Sequence, residues 1–409
     1  MNKKIYVYID VENNPILVGK FLPLVRNNQE HATFEYDKTW IDNPNHFPLS
    51  AAFLIGATSF YAPAGKALFG AIGDSSPDRW GRVLMTQAEN FHAEKQNKKP
   101  KKLMEIDYLL RVDDETRLGA LRFSHKENGP FLAINPEIYI PSFIDLPKLL
   151  QASEHINSGN ESEEDLTLLV PAGSSLGGAR PKSSVIDEDG SLAIAKFPQK
   201  IDEINIVLWE AVALTLAKKA HISVPKWRIE YIKGNPVLIS QRFDRDKKNR
   251  IPFLSAMSML GADENEPRSY LEIVDKLRQQ GAKSVDDIKE LWRRIVFSIF
   301  IANTDDHLRN HAFLYEEKNG WRLAPAYDLN PIPMDVKPRV LSTTIDFSDA
   351  TGSIELAMSV SHYFGLTPDM AEKIVSEVES AVLGWKSEAK KLNISAAEIE
   401  RMSSAFMEN

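Results

Sequence analysis

The sequence predicts an α+β fold in two lobes, and three observations carry that prediction. Hairpin signals turn at Asp189-Gly190, at Gly234-Asn235 and at Asn319-Gly320, each between apolar strand patterns. Helix-period patterns separate these hairpins and dominate the tail from Thr367-Pro368 onward. A strand-rich segment thus precedes a helix-rich one, and 409 residues exceed the span of one ordinary domain.

Residues 1–150 read as a mixed α/β subdomain. The alternation Ile5-Tyr6-Val7-Tyr8-Ile9 and the run Gly119-Ala120-Leu121-Arg122-Phe123 look like strands. Between them, residues 92–102 carry Lys95, Lys98, Lys99, Lys101 and Lys102 and read as a solvated loop. The polar run from Ser153 to Asp165 is the best linker candidate. Residues 151–250 form the strand-rich lobe, with hairpins at 182–196 and 227–240 around a helix from Asn205 to Ala220. Residues 251–409 form the helical lobe. A capping box, Ser284-x-x-Asp287, opens its main helix, which reaches about Ala302. The third hairpin, 312–324, follows, and Ser395-x-x-Glu398 caps the last helix.

Composition narrows the class. Hydrophobic residues make up 43% and charged residues 26%, the balance of a soluble globular protein with a full core. With 0 cysteines, disulfides and thiolate metal sites are excluded. A net charge of −8 argues against a surface-wide nucleic-acid footprint. No apolar run suits a signal peptide or a membrane span, so the expected location is the cytoplasm. No repeat of about 20–50 residues occurs, which sets solenoids and propellers aside.

The chemistry-bearing residues fit phosphoryl transfer. That reaction needs main-chain donors over the phosphates, a lysine, oxygen ligands for Mg²⁺ and a base for the acceptor hydroxyl. Gly173-Ser174-Ser175-Leu176-Gly177-Gly178-Ala179-Arg180-Pro181-Lys182 is a glycine-rich loop leading into the first hairpin, without the Gly-Lys-Ser/Thr of a Walker A loop. Lys196 ends the strand Leu192-Ala193-Ile194-Ala195, similar to the Val-Ala-Ile-Lys strand of protein kinases, and Glu210 on the next helix is its natural partner. Asp305 and Asn310 reproduce the Asp-x-x-x-x-Asn spacing of a kinase catalytic loop, where Asp is the base and Asn a Mg²⁺ ligand. Beyond the third hairpin, Tyr327-Asp328 places a second carboxylate where a Mg²⁺-binding Asp belongs. Gln241-Arg242-Phe243-Asp244-Arg245 stands at the hinge, where main-chain groups meet adenine and Asp244 is the candidate for ribose.

His307 and His311 also have the i, i+4 spacing of a metal-binding helix. The glutamate of a His-Glu-x-x-His site is missing and the segment reads as a loop, so His307 is expected to brace the catalytic loop instead.

Taken in order, these residues resemble the HipA-type serine/threonine kinases, toxins of bacterial type II toxin–antitoxin pairs. The segment from Phe69 to Arg82, with Asp74, Pro77 and Asp78, is similar to the family's Asp-Ser-Pro signature region. Gly177–Lys182, Lys196, Arg242–Arg245, Thr304–Asn310 and Tyr327-Asp328 look like family motifs in family order. The resemblance implies a two-lobed core like protein and phosphoinositide kinases, using ATP and Mg²⁺. It implies an N-terminal subdomain facing a small DNA-binding antitoxin, with DNA met only through that complex. It also implies autophosphorylation in the glycine-rich loop, by position at Ser175 with Ser174 adjacent. The best-known members phosphorylate an aminoacyl-tRNA synthetase and stop translation. Arg180, where some members have Gln, and Asp306, where many have a small residue, depart from the pattern and bear on substrate identity. Two rival readings are a small-molecule or lipid kinase with the same parts, and an antitoxin-binding corepressor that has lost its active site.

Overall fold

The computed structural model describes residues 4–26, 29–51, 53–56, 58–62, 67–134, 139–316 and 320–407. The protein forms two compact units, one of residues 1–200 with 230–254, the other of 201–229 with 255–409.

In the first unit, β1 (Ile5–Val11) and β2 (Asn14–Arg26) pair antiparallel, with Ile5 opposite Phe21 and Ile9 opposite Ile16. Glu12 and Asn13 join them, both at positive φ (51° and 59°), the backbone that a two-residue hairpin of matching twist requires. No Gly marks this turn, so the sequence does not announce it. With β3 (Gln29–Tyr36), β4 (Ser59–Tyr61) and β5 (Leu121–Ser124), the strands form a sheet ordered β4-β3-β2-β1-β5. A buried ion network crosses its edge. Arg122 donates to Asp10 (2.9 Å) and to Asp114 (2.5 Å), and Arg250 also donates to Asp114 (3.2 Å).

The second sheet of this unit carries the glycine-rich segment. Its strands are β6 (Lys182–Ile186), β7 (Leu192–Lys196), β8 (Trp227–Ile232, in this unit from Glu230) and β9 (Asn235–Gln241), ordered β6-β7-β9-β8. Three helices cover it: α1 (Arg79–Lys95), α2 (Leu146–Ser158) and α3 (Glu163–Gly173). Trp80 and Leu84 of α1, Leu149 and Leu150 of α2, Leu169 of α3, and Val185, Ala195 and Ile239 of the strands share one core. A signature-region helix and the glycine-rich loop's own strands are therefore buried together.

Three local expectations change here. The linker candidate Ser153–Asp165 is mostly helix: Ser153 and Ile156 are buried in α2, and Ser162 caps α3 by accepting from Asp165 N–H (3.1 Å). Its polar residues form the outer faces of two amphipathic helices, which composition alone mistakes for a linker. Within the lysine-rich stretch, His92–Lys95 continue α1, and Lys95 and Lys101 meet Glu163 (2.5 Å) and Asp107 (2.6 Å). The second turn lies at Lys233-Gly234 (φ 50° and 83°), one residue earlier than expected, and Asn319 of the third lies outside the described residues.

In the second unit, α4 (Ile206–Lys219) starts at Asn205, whose side chain accepts from Leu208 N–H (3.1 Å). α5 (Tyr270–Gln280) and α6 (Ser284–Phe300) precede the hairpin of β10 (Ala312–Glu316) and β11 (Gly320–Leu323). The capping box expected at Ser284 does not form. Lys283 takes the cap position, and Asp287 instead accepts from Arg322 (2.8 Å) and from Leu323 N–H (3.1 Å). The carboxylate thereby fastens α6 to β11, a stronger use than an exposed cap because it satisfies a buried main-chain donor. Thr367 caps α7 (Pro368–Val382), and Ser395 caps Ala396–Arg401, as expected. No described helix is long and apolar enough to cross a membrane.

Candidate active site

The site residues fall into two sets, one in each unit. In the first unit, Gly173 is the last residue of α3 and is buried. Ser174, Ser175 and Leu176 follow, also buried, and neither serine hydroxyl has a hydrogen-bond partner. Gly177 and Ala179 are exposed, and a Cβ on Gly177 would meet nothing within 4 Å. Gly178 sits at φ 81°, a left-handed conformation that a side chain disfavours. Lys182 is buried and donates from Nζ to Gly177 O (2.5 Å), closing the loop on itself. Lys196 ends β7 opposite Lys182 in register, next to Leu238 of β9. The loop thus offers open space at Gly177, with two lysines on neighbouring strands, a setting suited to phosphate.

The hinge differs from expectation at one residue. Gln241 ends β9, and Arg242 N–H donates to Leu192 O (3.0 Å). Asp244 is 2% exposed. It accepts from Arg242 Nε (2.8 Å) at Oδ1, and from Arg242 (2.6 Å), Arg245 (2.7 Å) and Gly119 N–H (2.8 Å) at Oδ2. Burial works against ionisation, yet the Arg242 and Arg245 guanidiniums hold this carboxyl well below the usual range. Arg242 in turn donates to Thr116 O (2.6 Å), and Arg245 to Arg117 O (2.6 Å). Asp244 therefore ties the hinge to residues 116–119, in place of the ribose contact expected for it. Phe243, the candidate for adenine, lies between the two arginines in sequence.

In the second unit, Glu210 is 5% exposed on α4, too buried for an ordinary helix-surface glutamate. The catalytic-loop candidate begins where α6 ends. Ala302 takes a positive φ (46°), and Asn303–Thr304 are buried beneath an exposed Asp305. Asn310 donates its amide to Asp305 O (2.8 Å), so the amide oxygen is left as an acceptor. Tyr327 donates from its hydroxyl to Arg309 O (2.6 Å), and Asn330 N–H donates to Asn303 Oδ1 (3.0 Å). Asp328, at φ 57°, is held between these two anchors. The loop and the Asp328 turn are one fastened assembly. Carboxylate and amide oxygens are the donors a hard cation such as Mg²⁺ takes, and Asn310 and Asp328 supply both.

His307 does not brace this loop through its ring. Its ring is exposed, and its backbone carbonyl accepts from Asn310 N–H (2.8 Å). The bracing histidine is His311, which sequence spacing suggests only as a metal ligand. Only Leu308–Asn310 form a helical turn, of 3₁₀ type, so His307 and His311 do not share a helix face. No cluster of three or more metal-ligating side chains occurs among the described residues. Buried His311 Nε2 lies 3.2 Å from Asp306 O and 3.2 Å from the Tyr270 hydroxyl. Since that hydroxyl donates its one proton to the Asp306 carboxylate, His311 Nε2 is the donor to Asp306 O. Burial pushes the imidazole down to about 3 and the Asp306 carboxyl up to about 6. Tyr270 lies 36 positions before Asp306, and nothing local in the sequence pairs them.

Comparison with known proteins follows the same residues. A family model described as the HipA-like C-terminal domain matches residues 174–385, and the HipA N-terminal domain matches residues 10–106. A Sinorhizobium fredii protein named "Putative kinase Y4mE" is 23% identical, over 94% of this chain and 86% of its own. A Haemophilus influenzae protein of like name is 23% identical, over 42% of this chain and 56% of its own. Among solved structures, HipA of Shewanella oneidensis MR-1, from a toxin–antitoxin complex with HipB and operator DNA, aligns with a TM-score of 0.65. That alignment has 15% identity and covers 98% of this chain and 94% of that one, which establishes a two-lobed, kinase-like fold. With one family model spanning more than half of its length and a second its N-terminal part, the chain belongs to the HipA-type kinase family.

Proposed function

We propose that this protein is an ATP- and Mg²⁺-dependent serine/threonine protein kinase. The observation that carries the reading is the fastened assembly of Asp305, Asn310 and Asp328, which offers a base and two oxygen ligands on one rigid turn system. Asp305, exposed, accepts the proton of the acceptor hydroxyl. Asn310 and Asp328 hold Mg²⁺, which when bound neutralises charge on the transferring phosphoryl group. Lys196 and the main-chain N–H groups of Gly177–Ala179 bind the phosphates, while Gln241 and Phe243 main-chain groups meet adenine.

The partner we infer for the N-terminal subdomain is a small DNA-binding antitoxin, since the Shewanella oneidensis protein was solved with HipB and DNA. The substrate is a host protein, for which an aminoacyl-tRNA synthetase is the first candidate. Ser175, with Ser174 as its competitor, is the autophosphorylation site. Both are buried, so the loop must leave its seat before either hydroxyl reacts. The cytoplasm is the matching location.

Labelled ATP incubated with host lysate, for the wild-type protein and Asp305→Asn, tests the activity. Transfer should fall at least ~10²-fold in the variant, a typical share for a general base. Equal labelling by both proteins removes Asp305 from the mechanism.

A further inference from the structure

The first turn of α1 and the glycine-rich loop are joined through Gly178. Asp78 Oδ2 accepts from Gly178 N–H (2.8 Å), and Trp80 N–H donates to Gly178 O (3.0 Å). Both main-chain groups of this glycine are thus taken by residues about 100 positions earlier. Trp80, which is 2% exposed, also donates from Nε1 to Lys182 O (2.8 Å) and so fixes the loop's far end. Gly81 completes the seat: a Cβ there would stand 2.3 Å from Ser174 O, so the loop lies directly on the helix backbone. Arg82 holds the turn from behind, donating to Pro77 O (3.1 Å) and to Glu105 (2.5 Å).

We propose that Asp78 and Trp80 are positioning residues for the phosphate loop, and that the Asp78 carboxylate competes with nucleotide phosphate for the Gly178 N–H. The inference rests on the reading that this loop covers ATP phosphates. Main-chain N–H groups of such a loop are the donors a phosphate needs. Here one of them already holds an anion. For phosphate to take that donor, Asp78 must release it, and its charge opposes the approach of a second anion at the same spot. Trp80 acts differently. It is neutral, sits in the shared core, and sets the loop's conformation without opposing the nucleotide. The N-terminal subdomain is in this way coupled to nucleotide affinity through one hydrogen bond, and a partner that shifts the first turn of α1 would retune ATP binding.

The substitutions must spare the helix cap, because Asp78 Oδ1 also accepts from Arg79 N–H (2.8 Å). Serine caps a helix as well as aspartate but is too short to hold Gly178. Hydrogen–deuterium exchange on the full-length protein without nucleotide, over residues 173–182, reads the seat directly. Asp78→Ser and Trp80→Phe should each speed exchange there by about tenfold, with other segments unchanged. Calorimetry with Mg²⁺–ATP reads the competition. Asp78→Ser, and Asp78→Asn as a second variant that keeps a capping oxygen, should bind roughly three- to tenfold tighter than wild type. Trp80→Phe should not tighten binding. A purely structural role for Asp78 predicts weaker binding, so an unchanged or higher Kd in both Asp78 variants overturns the competition. Unchanged exchange in Asp78→Ser overturns the seat. If wild type binds no ATP, the kinase reading falls, while the exchange arm still decides whether Asp78 and Trp80 hold the loop.

Discussion

The main-chain N–H of Ser342 donates to Asp306 Oδ1 at 2.6 Å, tying the segment beyond Asp328 to the catalytic loop. Three further bonds run the same way. Ser342 and Lys337 both donate to Thr304 O (2.8 Å each), and Thr343 donates to Asp306 O (2.7 Å). Asp306, next to the candidate base, is the carboxylate around which this clamp is built. Tyr270 and His311 complete it, the one through the Asp306 carboxylate and the other through its carbonyl.

The clamp has a pH signature. Burial raises the Asp306 carboxyl from its ordinary value of 3.8 to about 6, so the folded protein keeps a proton there that the unfolded one has released. Between those pH values the folded state binds more protons, and this group's contribution to stability is lost as pH rises. The stability difference, wild type minus Asp306→Asn, should fall by about 1.4 kcal/mol per pH unit from pH ~4 to ~6. Urea midpoints at intervals across that window measure it. Parallel profiles for the two proteins would show that Asp306 does not titrate there.

Asp244→Ala should destabilise the first unit by about 3–5 kcal/mol, because it leaves Arg242 and Arg245 buried without their counter-ion. The measurement is equilibrium unfolding, and a loss below about 1 kcal/mol would return Asp244 to a ligand-binding role.

Gly81→Ala puts a methyl where Ser174 O now lies. The expected cost is about 1–3 kcal/mol from overpacking, relieved by lifting the loop. Limited proteolysis should then cut within 174–180 faster than in wild type. A variant as resistant as wild type would mean that α1 shifts and the loop stays.

Mg²⁺–ATP at a hundredfold excess over Kd should stabilise the fold by about 2.7 kcal/mol. Asn310→Ala combined with Asp328→Asn should remove most of the metal-dependent part of that shift. Asparagine suits position 328 because it tolerates the positive φ (57°) seen there. Thermal shifts that remain equally metal-dependent in the double variant would displace both residues from the metal site.

What this sequence determined by itself is what local chemistry encodes. Apolar period and turn residues placed β6, β7, α4, α6 and α7 within a few residues, and the spacing of Asp305, Asn310 and Asp328 marked a loop and turn that the structure fastens together. Those signals act over a few residues, where backbone preference and side-chain period are legible. The tertiary structure decided which polar groups meet across long separations. Asp244 reads as a ribose ligand because nothing nearby announces Gly119, 125 positions earlier. His307 reads as the brace because it lies inside the loop and the metal-helix reading fails, whereas burial gives that role to His311. Asp78 looks like part of a signature, and its carboxylate accepts from the glycine-rich loop at Gly178 N–H, 100 positions later. A buried polar group must find its partner wherever packing brings one, and packing is settled by a core that draws on Trp80, Leu149 and Ile239 alike.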